Sequence, residues 1–168
     1  MDHRIKVTVS RFCLINAILI ATIGCDQAAK LVVRDTLTIT GPISYLNDNV
    51  RLEYARNPGA FLSFGADLPE ATRFWIFNVA VALFLTYLAW QLFTAKQIRP
   101  FGLVGFTLIL GGGLGNLIDR IAFGSVTDFL MLGIGSWKTG IFNFADVAIV
   151  LGVTLLTLNQ HRHRKQAS

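Results

Sequence analysis

Two carboxylate residues stand in apolar stretches in the C-terminal part of the sequence. Asp146 lies inside IFNFADVAIVLG, residues 141–152, three positions after Asn143, and Asp128 lies in SVTDFLML. A charged side chain at the bilayer centre costs about 2.5–3.5 kcal/mol or more, so such residues usually have a partner and a function. Because residues three apart share a helix face, Asn143 and Asp146 are predicted to point together into a helix bundle.

The chemistry open to this pair is acid–base catalysis. Two carboxyl groups in one low-dielectric site cannot both ionise, so one keeps a proton. The ionised group can then take a proton from water while the protonated group donates to a scissile carbonyl, as in aspartic proteases. All 3 histidines lie in the terminal segments, and no metal-ligand spacing appears, so no metal or other cofactor is predicted. A proton pathway also places aspartates in membrane helices, so a proton-coupled transporter is an alternative.

The composition indicates that membrane helices position these residues. The 168 residues are 53% hydrophobic and 15% charged, whereas soluble domains carry about 25% charged residues. A helix needs about 20 residues to cross the hydrocarbon core. Four apolar runs approach or reach that length, at residues 12–33, 74–93, 101–118 and 141–158. The predicted fold is an all-α membrane protein with four transmembrane helices, forming a single domain over residues 1–168.

A small β subdomain is predicted on the outer side of the membrane, as an insertion at about residues 36–72 between the first two helices; the periplasm is the side that the resemblance given below implies. The alternation in VRLEYA, residues 50–55, favours a strand, and GP and NDN are turn signals. The following segment RNPGAFLSFG, residues 56–65, has two interpretations. It is either a turn tucked under the sheet or a loop that enters lipid or lines a groove.

Basic residues predict the orientation of the chain. Four crossings place both termini on one side together with the loop at residues 96–100, and that side carries eight of the 15 Lys and Arg residues. Cytoplasmic loops carry the excess of positive charge, so both termini are expected in the cytoplasm. The basic tail HRHRKQ, residues 161–166, is interpreted as facing anionic lipid rather than as a nucleic-acid site.

The N-terminal segment has features of a cleavable lipoprotein signal peptide, with a basic leader, an apolar core and then Cys25. Thr22 stands where a branched or leucyl residue is usual, and three further spans follow. The first helix is therefore expected to stay attached. Cys13 and Cys25 lie about 18 Å apart on that helix, which is too far for a disulfide.

The end of the third helix carries glycines and then a polar group of residues. Gly111 and Gly115 have the small-xxx-small spacing of closely packed membrane helices. Asn116, Asp119 and Arg120 follow and share one helix face. For Asp119 the favoured interpretation is a local pair with Arg120 that anchors the helix end.

Five motifs in order resemble the lipoprotein signal peptidase family, the bacterial signal peptidase II enzymes. They are DQAAK, RNPGAFLSFG, GGGLGNLIDR, GSVTDFL and FNFAD, and the similarity covers roughly residues 26–152. The resemblance implies a multi-pass aspartyl peptidase of the inner membrane, which works without a cofactor. It implies cleavage of prolipoproteins just before a cysteine that bears a diacylglyceryl group. The implied partners are such lipidated signal peptides and the phospholipid bilayer, with no nucleic acid.

The resemblance also implies roles for individual residues, with Asp128 and Asp146 as the catalytic pair. Six further residues match family positions with supporting or substrate-binding roles: Asp26, Asn57, Gly59, Asn116, Arg120 and Asn143. The chain departs from the family pattern at Phe61-Leu62 and at Val147, which affects the expected groove shape more than the chemistry. A non-enzymatic membrane scaffold, the remaining alternative, would tolerate substitution of both aspartates.

Overall fold

Helices make up most of the chain, in the places of the four predicted spans. The computed structural model describes residues 3–60, 63–95 and 98–167. Phe61, Leu62 and Lys96, to which predictions above refer, lie outside these ranges. The elements in chain order are α1 (His3–Thr40), β1 (Ile43–Tyr45), β2 (Val50–Asn57), α2 (Glu70–Arg73), a π-helix (Phe74–Ala80), α3 (Val81–Thr94), α4 (Pro100–Phe123), β3 (Val126–Ile134), β4 (Trp137–Lys138) and α5 (Phe144–Ala167).

Three helical segments are long and apolar enough to cross a membrane, counted within the described part of the chain. They are Val9–Thr40, Glu70–Thr94 and Pro100–Phe123, and α5 adds a shorter apolar stretch over Phe144–Leu158. Large apolar side chains on these helices face outwards, as expected for helices whose surroundings are lipid tails. The fold is therefore that of a mostly helical multi-pass membrane protein with a small sheet, as predicted.

A four-stranded antiparallel sheet lies beyond one end of the helices, with the strand order β1-β2-β3-β4. The predicted strand is confirmed, because residues 50–55 lie within β2. The sheet is larger than the predicted insertion, since β3 and β4 come from the linker between α4 and α5. The pairing of β2 with β3 sets Ala55 opposite Asp128 and Asn57 opposite Val126. This pairing brings the end of β2 to the first of the two carboxylates.

Glycines allow α4 to lie close to both α1 and α5. A Cβ atom on Gly105 would lie 2.9 Å from the carbonyl oxygen of Gly152, which faces it from α5. The predicted pair Gly111 and Gly115 faces α1, where a Cβ atom on Gly115 would lie 2.7 Å from Oδ2 of Asp26. These close approaches bring polar residues of α1, α4 and α5 together beside the sheet.

Candidate active site

A single asparagine connects the two carboxylates. Asn143 immediately precedes α5, and its Nδ2 donates to Oδ1 of Asp128 at 2.6 Å. Its backbone N–H donates to Oδ2 of Asp146 at 3.2 Å, while the Asp146 N–H donates to Oδ1 of Asn143 at 2.9 Å. This reciprocal pair of bonds is a capping box, which starts the helix. Asp128 and Asp146 are therefore both held by Asn143, the first through its side-chain amide and the second through its backbone N–H.

Two further asparagines complete the surroundings of the pair. Nδ2 of Asn57 donates to Oδ2 of Asp128 at 2.8 Å. Nδ2 of Asn116, on α4, donates to Oδ1 of Asp146 at 2.9 Å. All four carboxyl oxygens thus accept a hydrogen bond from a neutral group, while the side chains are almost fully buried. The amides orient both carboxyl groups without neutralising their charge.

The environment of Asp128 suits proton transfer. The pKa of Asp128 is raised from 3.8 to about 6, mainly because the side chain is buried. The nearby charge of Asp146 contributes to this rise. The hydrogen bond from Asn57 acts in the opposite direction and lowers this pKa. A carboxyl group with a pKa near 6 takes up and releases a proton readily at near-neutral pH, as general acid–base catalysis requires.

The loop after β2 ties Asp128 to the end of α4. Oδ1 of Asn57 accepts the backbone N–H of Gly59 at 2.9 Å, and Nδ2 of Asn57 also donates to the Ala60 carbonyl at 2.9 Å. Nη2 of Arg120 donates to the carbonyl oxygen of Gly59 at 2.7 Å. The predicted turn is therefore closed by the Asn57 side chain. Through Pro58 the same turn also lines a groove.

This groove lies between α4 and the helical segment at residues 70–94, with a volume of about 590 Å³. Pro58 and Arg120 line it, and its other walls include Phe77, Asn78 and Leu83. The guanidinium of Arg120 lies 5.8 Å from the ring centroid of Phe77. The Nε atom of Arg120 is buried and has no hydrogen-bond partner among the described residues. The groove thus combines apolar walls with a cationic end.

A buried ion cluster lies behind the pair, and its members Lys30, Arg34 and Asp119 were missing from the predicted site. Lys30 is fully buried on α1, with Nζ 2.8 Å from Oδ2 of Asp26 and 2.9 Å from Oδ1 of Asn116. Oδ1 of Asp26 accepts the N–H of Ala145 at 2.9 Å, in the first turn of α5. Asp26 therefore holds the helix that carries Asp146 and does not touch the pair itself. The spacing of Asp26 and Lys30, four apart on a helix, was the available sequence signal.

Asp119 belongs to the same cluster, and the predicted local pair with Arg120 is wrong. Oδ2 of Asp119 accepts the backbone N–H of Thr127 at 2.8 Å. Its carboxylate forms ion pairs with Lys30 at 3.6 Å and Arg34 at 3.5 Å, both on α1. The carboxylate of residue 119 therefore holds the start of β3 to α1. The side chain of Arg120, also among the described residues, extends towards the groove instead.

Asp119→Asn is expected to lower stability more than turnover, because it removes the charge that pairs with two basic side chains. Loss of a partner for buried polar groups costs about 1–3 kcal/mol, and we expect a melting temperature about 5 °C lower in detergent. The rate of the peptidase reaction that the resemblance implies should fall, per folded protein, by no more than about three-fold, or about 0.7 kcal/mol. The exposed Asp67→Asn is the matched control. An unchanged melting temperature with lost cleavage would contradict this assignment.

Comparison with known proteins identifies the family. A family model described as Signal peptidase (SPase) II matches residues 18–162. The lipoprotein signal peptidase of Desulforapulum autotrophicum is 36% identical over 148 residues, which cover 86% of this chain and 88% of the relative. The lipoprotein signal peptidase of Geobacter sulfurreducens is 33% identical over 156 residues, which cover 91% and 94%.

Solved structures of bacterial membrane enzymes have the same fold. One structure, determined by the in meso method at 2.3 Å, has a TM-score of 0.80 and 25% identity, covering 92% of both chains. A second, at 1.9 Å, has a TM-score of 0.74 and 26% identity, covering 88% of this chain and 92% of the other. The chain therefore belongs to the signal peptidase II family and is a multi-pass membrane protease.

Proposed function

We propose that the protein is an aspartyl endopeptidase of the bacterial inner membrane that acts on diacylglyceryl-modified prolipoproteins and cuts before the lipidated cysteine. Family membership supports the cleavage of signal peptides from prolipoproteins. The observation that carries the aspartyl mechanism is that Asp128 and Asp146 both accept hydrogen bonds from Asn143, from its side-chain amide and its backbone N–H respectively.

In this mechanism Asp128 and Asp146 share one proton. The ionised carboxylate takes a proton from a water molecule as the water oxygen bonds to the scissile carbonyl carbon, and the protonated carboxyl donates to the carbonyl oxygen. The resulting neutral diol then collapses. One hydroxyl returns its proton to a carboxylate, the C–N bond breaks, and the leaving amine takes the other proton. The pair ends with one proton, as it began.

The groove beside the Asn57–Gly59 loop supports the placement of a lipidated substrate. Phe77 and Leu83 offer apolar contacts to acyl chains or to a signal helix. The guanidinium of Arg120, at the end of the groove next to the loop, suits ester or phosphate oxygens of a lipid. The scissile bond would then lie at the end of the helices where the sheet is. With both termini in the cytoplasm, this end faces the periplasm.

The lipid requirement is tested with two matched precursors, one carrying the diacylglyceryl group on its cysteine and one unmodified. We expect cleavage of the modified precursor alone, with mass spectrometry placing the cut immediately before the lipidated residue. The lipid contributes binding in the groove, and its loss removes that contribution from the transition state as well as from the ground state. Equal cleavage of both precursors would contradict lipid recognition. Proton flux into liposomes without any cleavage would favour the transporter instead.

A further inference from the structure

Lys30 is a buried charge to which the proposed mechanism gives no function. It is fully buried in a membrane helix, where charged side chains are costly and are found mostly at functional sites. Its ion pair with Asp26 does not explain its presence, because replacing a buried ion pair by apolar residues is often neutral or stabilising. The contacts of its ammonium group with α4 offer a better explanation.

Lys30 decides which way the amide of Asn116 points. An ammonium group only donates hydrogen bonds, so the Asn116 atom 2.9 Å from Nζ must be the oxygen. The same oxygen accepts Nδ2 of Asn143 at 3.1 Å. The nitrogen of the Asn116 amide is thereby left to donate to Oδ1 of Asp146 at 2.9 Å.

This direction of the amide favours one protonation state of Asp146. A reversed amide would set the Asn116 oxygen against a carboxylate oxygen, which is tolerable only if Asp146 carries a proton there. With the observed direction, Asp146 accepts hydrogen bonds at both oxygens, from the Asn116 side chain and the Asn143 backbone. A positive charge lies one side chain away from it. Both oxygens of Asp128 also accept hydrogen bonds, from the amides of Asn57 and Asn143, but neither of these side chains is bonded to a cationic side chain among the described residues.

We propose that Lys30 is a positioning residue for the aspartyl reaction, which acts through Asn116 to keep Asp146 ionised as the base that takes the proton from water. Asp128 is then the member of the pair that holds the shared proton and donates it to the carbonyl oxygen. This assignment rests on the proposed function. It adds to that function which aspartate is the base and which residue keeps that aspartate ionised.

Other charged groups lie on the three elements packed around the pair. They are Asp26 and Arg34 on α1, Arg56 on β2, and Asp119 and Arg120 on α4. Among the described residues, only Lys30 is joined to one of the two carboxyl groups through a single intervening side chain. Arg34 bonds to the Thr127 hydroxyl at 3.1 Å and to Asp119, so it provides a matched control from the same helix.

The test compares pH profiles of kcat/KM for the full-length enzyme with a diacylglyceryl-modified precursor. Lys30→Met alone would remove the cation that pairs with the buried carboxylate of Asp26. The comparison is therefore made in an Asp26→Asn background, in which that carboxylate is absent. In Asp26→Asn/Lys30→Met, the acid limb of the profile is expected about one pH unit higher than in Asp26→Asn, because a cation near a carboxylate lowers its pKa by about 1–3 units. Arg34→Gln should leave the acid limb at the wild-type position.

A second variant separates the charge from the hydrogen bond. In Asp26→Asn/Lys30→Gln the amide still donates to Asn116 but carries no charge, so the acid limb should move in the same direction. This variant decides the test if the methionine variant does not fold. An unmoved acid limb overturns the proposal, and so does an equal shift in Arg34→Gln. A folded variant that is inactive at every pH also overturns it, because Lys30 would then do more than set the protonation state.

Different results would contradict the aspartyl mechanism and the role of Lys30. If Asp128→Asn or Asp146→Asn still cleaves the modified precursor at the wild-type rate, the aspartyl mechanism itself is wrong. If both are inactive while the acid limb does not depend on Lys30, only the role of Lys30 is wrong.

Discussion

Replacement of Asp128 or Asp146 by asparagine is expected to lower cleavage of the lipidated precursor by at least about 1,000-fold, within the range of a general acid or base. An amide at either position cannot exchange the shared proton with water or substrate. The measurement is the initial rate of release of the signal peptide from the diacylglyceryl-modified precursor, with each variant at equal folded concentration. The two losses should not add in the double variant, because both residues act in the same step.

Both asparagine variants should still fold. Asparagine has nearly the shape of aspartate, and at position 128 it removes a carboxyl group whose charged form is disfavoured by burial. Its NH2 group replaces one of the two acceptor oxygens of Asp128, so we expect the melting temperature of Asp128→Asn to fall by no more than about 5 °C at pH 7. Asp35→Asn, an exposed position on α1, serves as the control and should retain full cleavage. Near wild-type cleavage by either active-site variant would show that the pair is not catalytic.

Gly59→Ala is expected to lower kcat/KM by about 100-fold, the cost of a misplacement of about 1 Å in an active site. A Cβ atom at this position would lie 2.4 Å from the Phe64 carbonyl oxygen and 2.9 Å from the Ala66 nitrogen. Both are backbone atoms, so the loop itself must move. Such a movement displaces Asn57 from Asp128 and the Gly59 carbonyl from Arg120.

The matched control for this substitution is Gly24→Ala. No atom lies within 4 Å of a Cβ built on Gly24, which is in the middle of α1. Alanine favours helix over glycine by about 1 kcal/mol, so Gly24→Ala should keep full cleavage and a melting temperature that is unchanged or higher. Wild-type cleavage by Gly59→Ala would mean that the loop does not position Asn57 for the reaction.

Some features of the site follow from local sequence. Asn143 and Asp146 are three apart at the start of an apolar run and were predicted to point the same way, and in the structure they form a capping box, which joins residues at this spacing. The turn at Asn57 is closed within its own loop. These contacts depend on residues close in the chain, so the pattern of residue types is enough to indicate them.

The strand that carries Asp128 was not predicted. The first four residues of β3 are all buried, so the segment lacks the alternation of apolar and polar residues that marks a half-exposed strand. Its pairing with β2 joins segments more than 60 residues apart, as in the pair Asn57 and Val126. Local patterns do not carry that information.

The apolar runs are sufficient to predict the helical spans, because a backbone in lipid must satisfy its hydrogen bonds within the segment, as a helix does. The partners of the polar residues depend on how the helices pack. Asp119 pairs with α1 rather than with the adjacent Arg120, and Lys30 reaches Asn116, because close packing at Gly115 brings α1 against α4. A buried charge takes the partner that the packed helices bring within reach, and distance along the chain does not decide it.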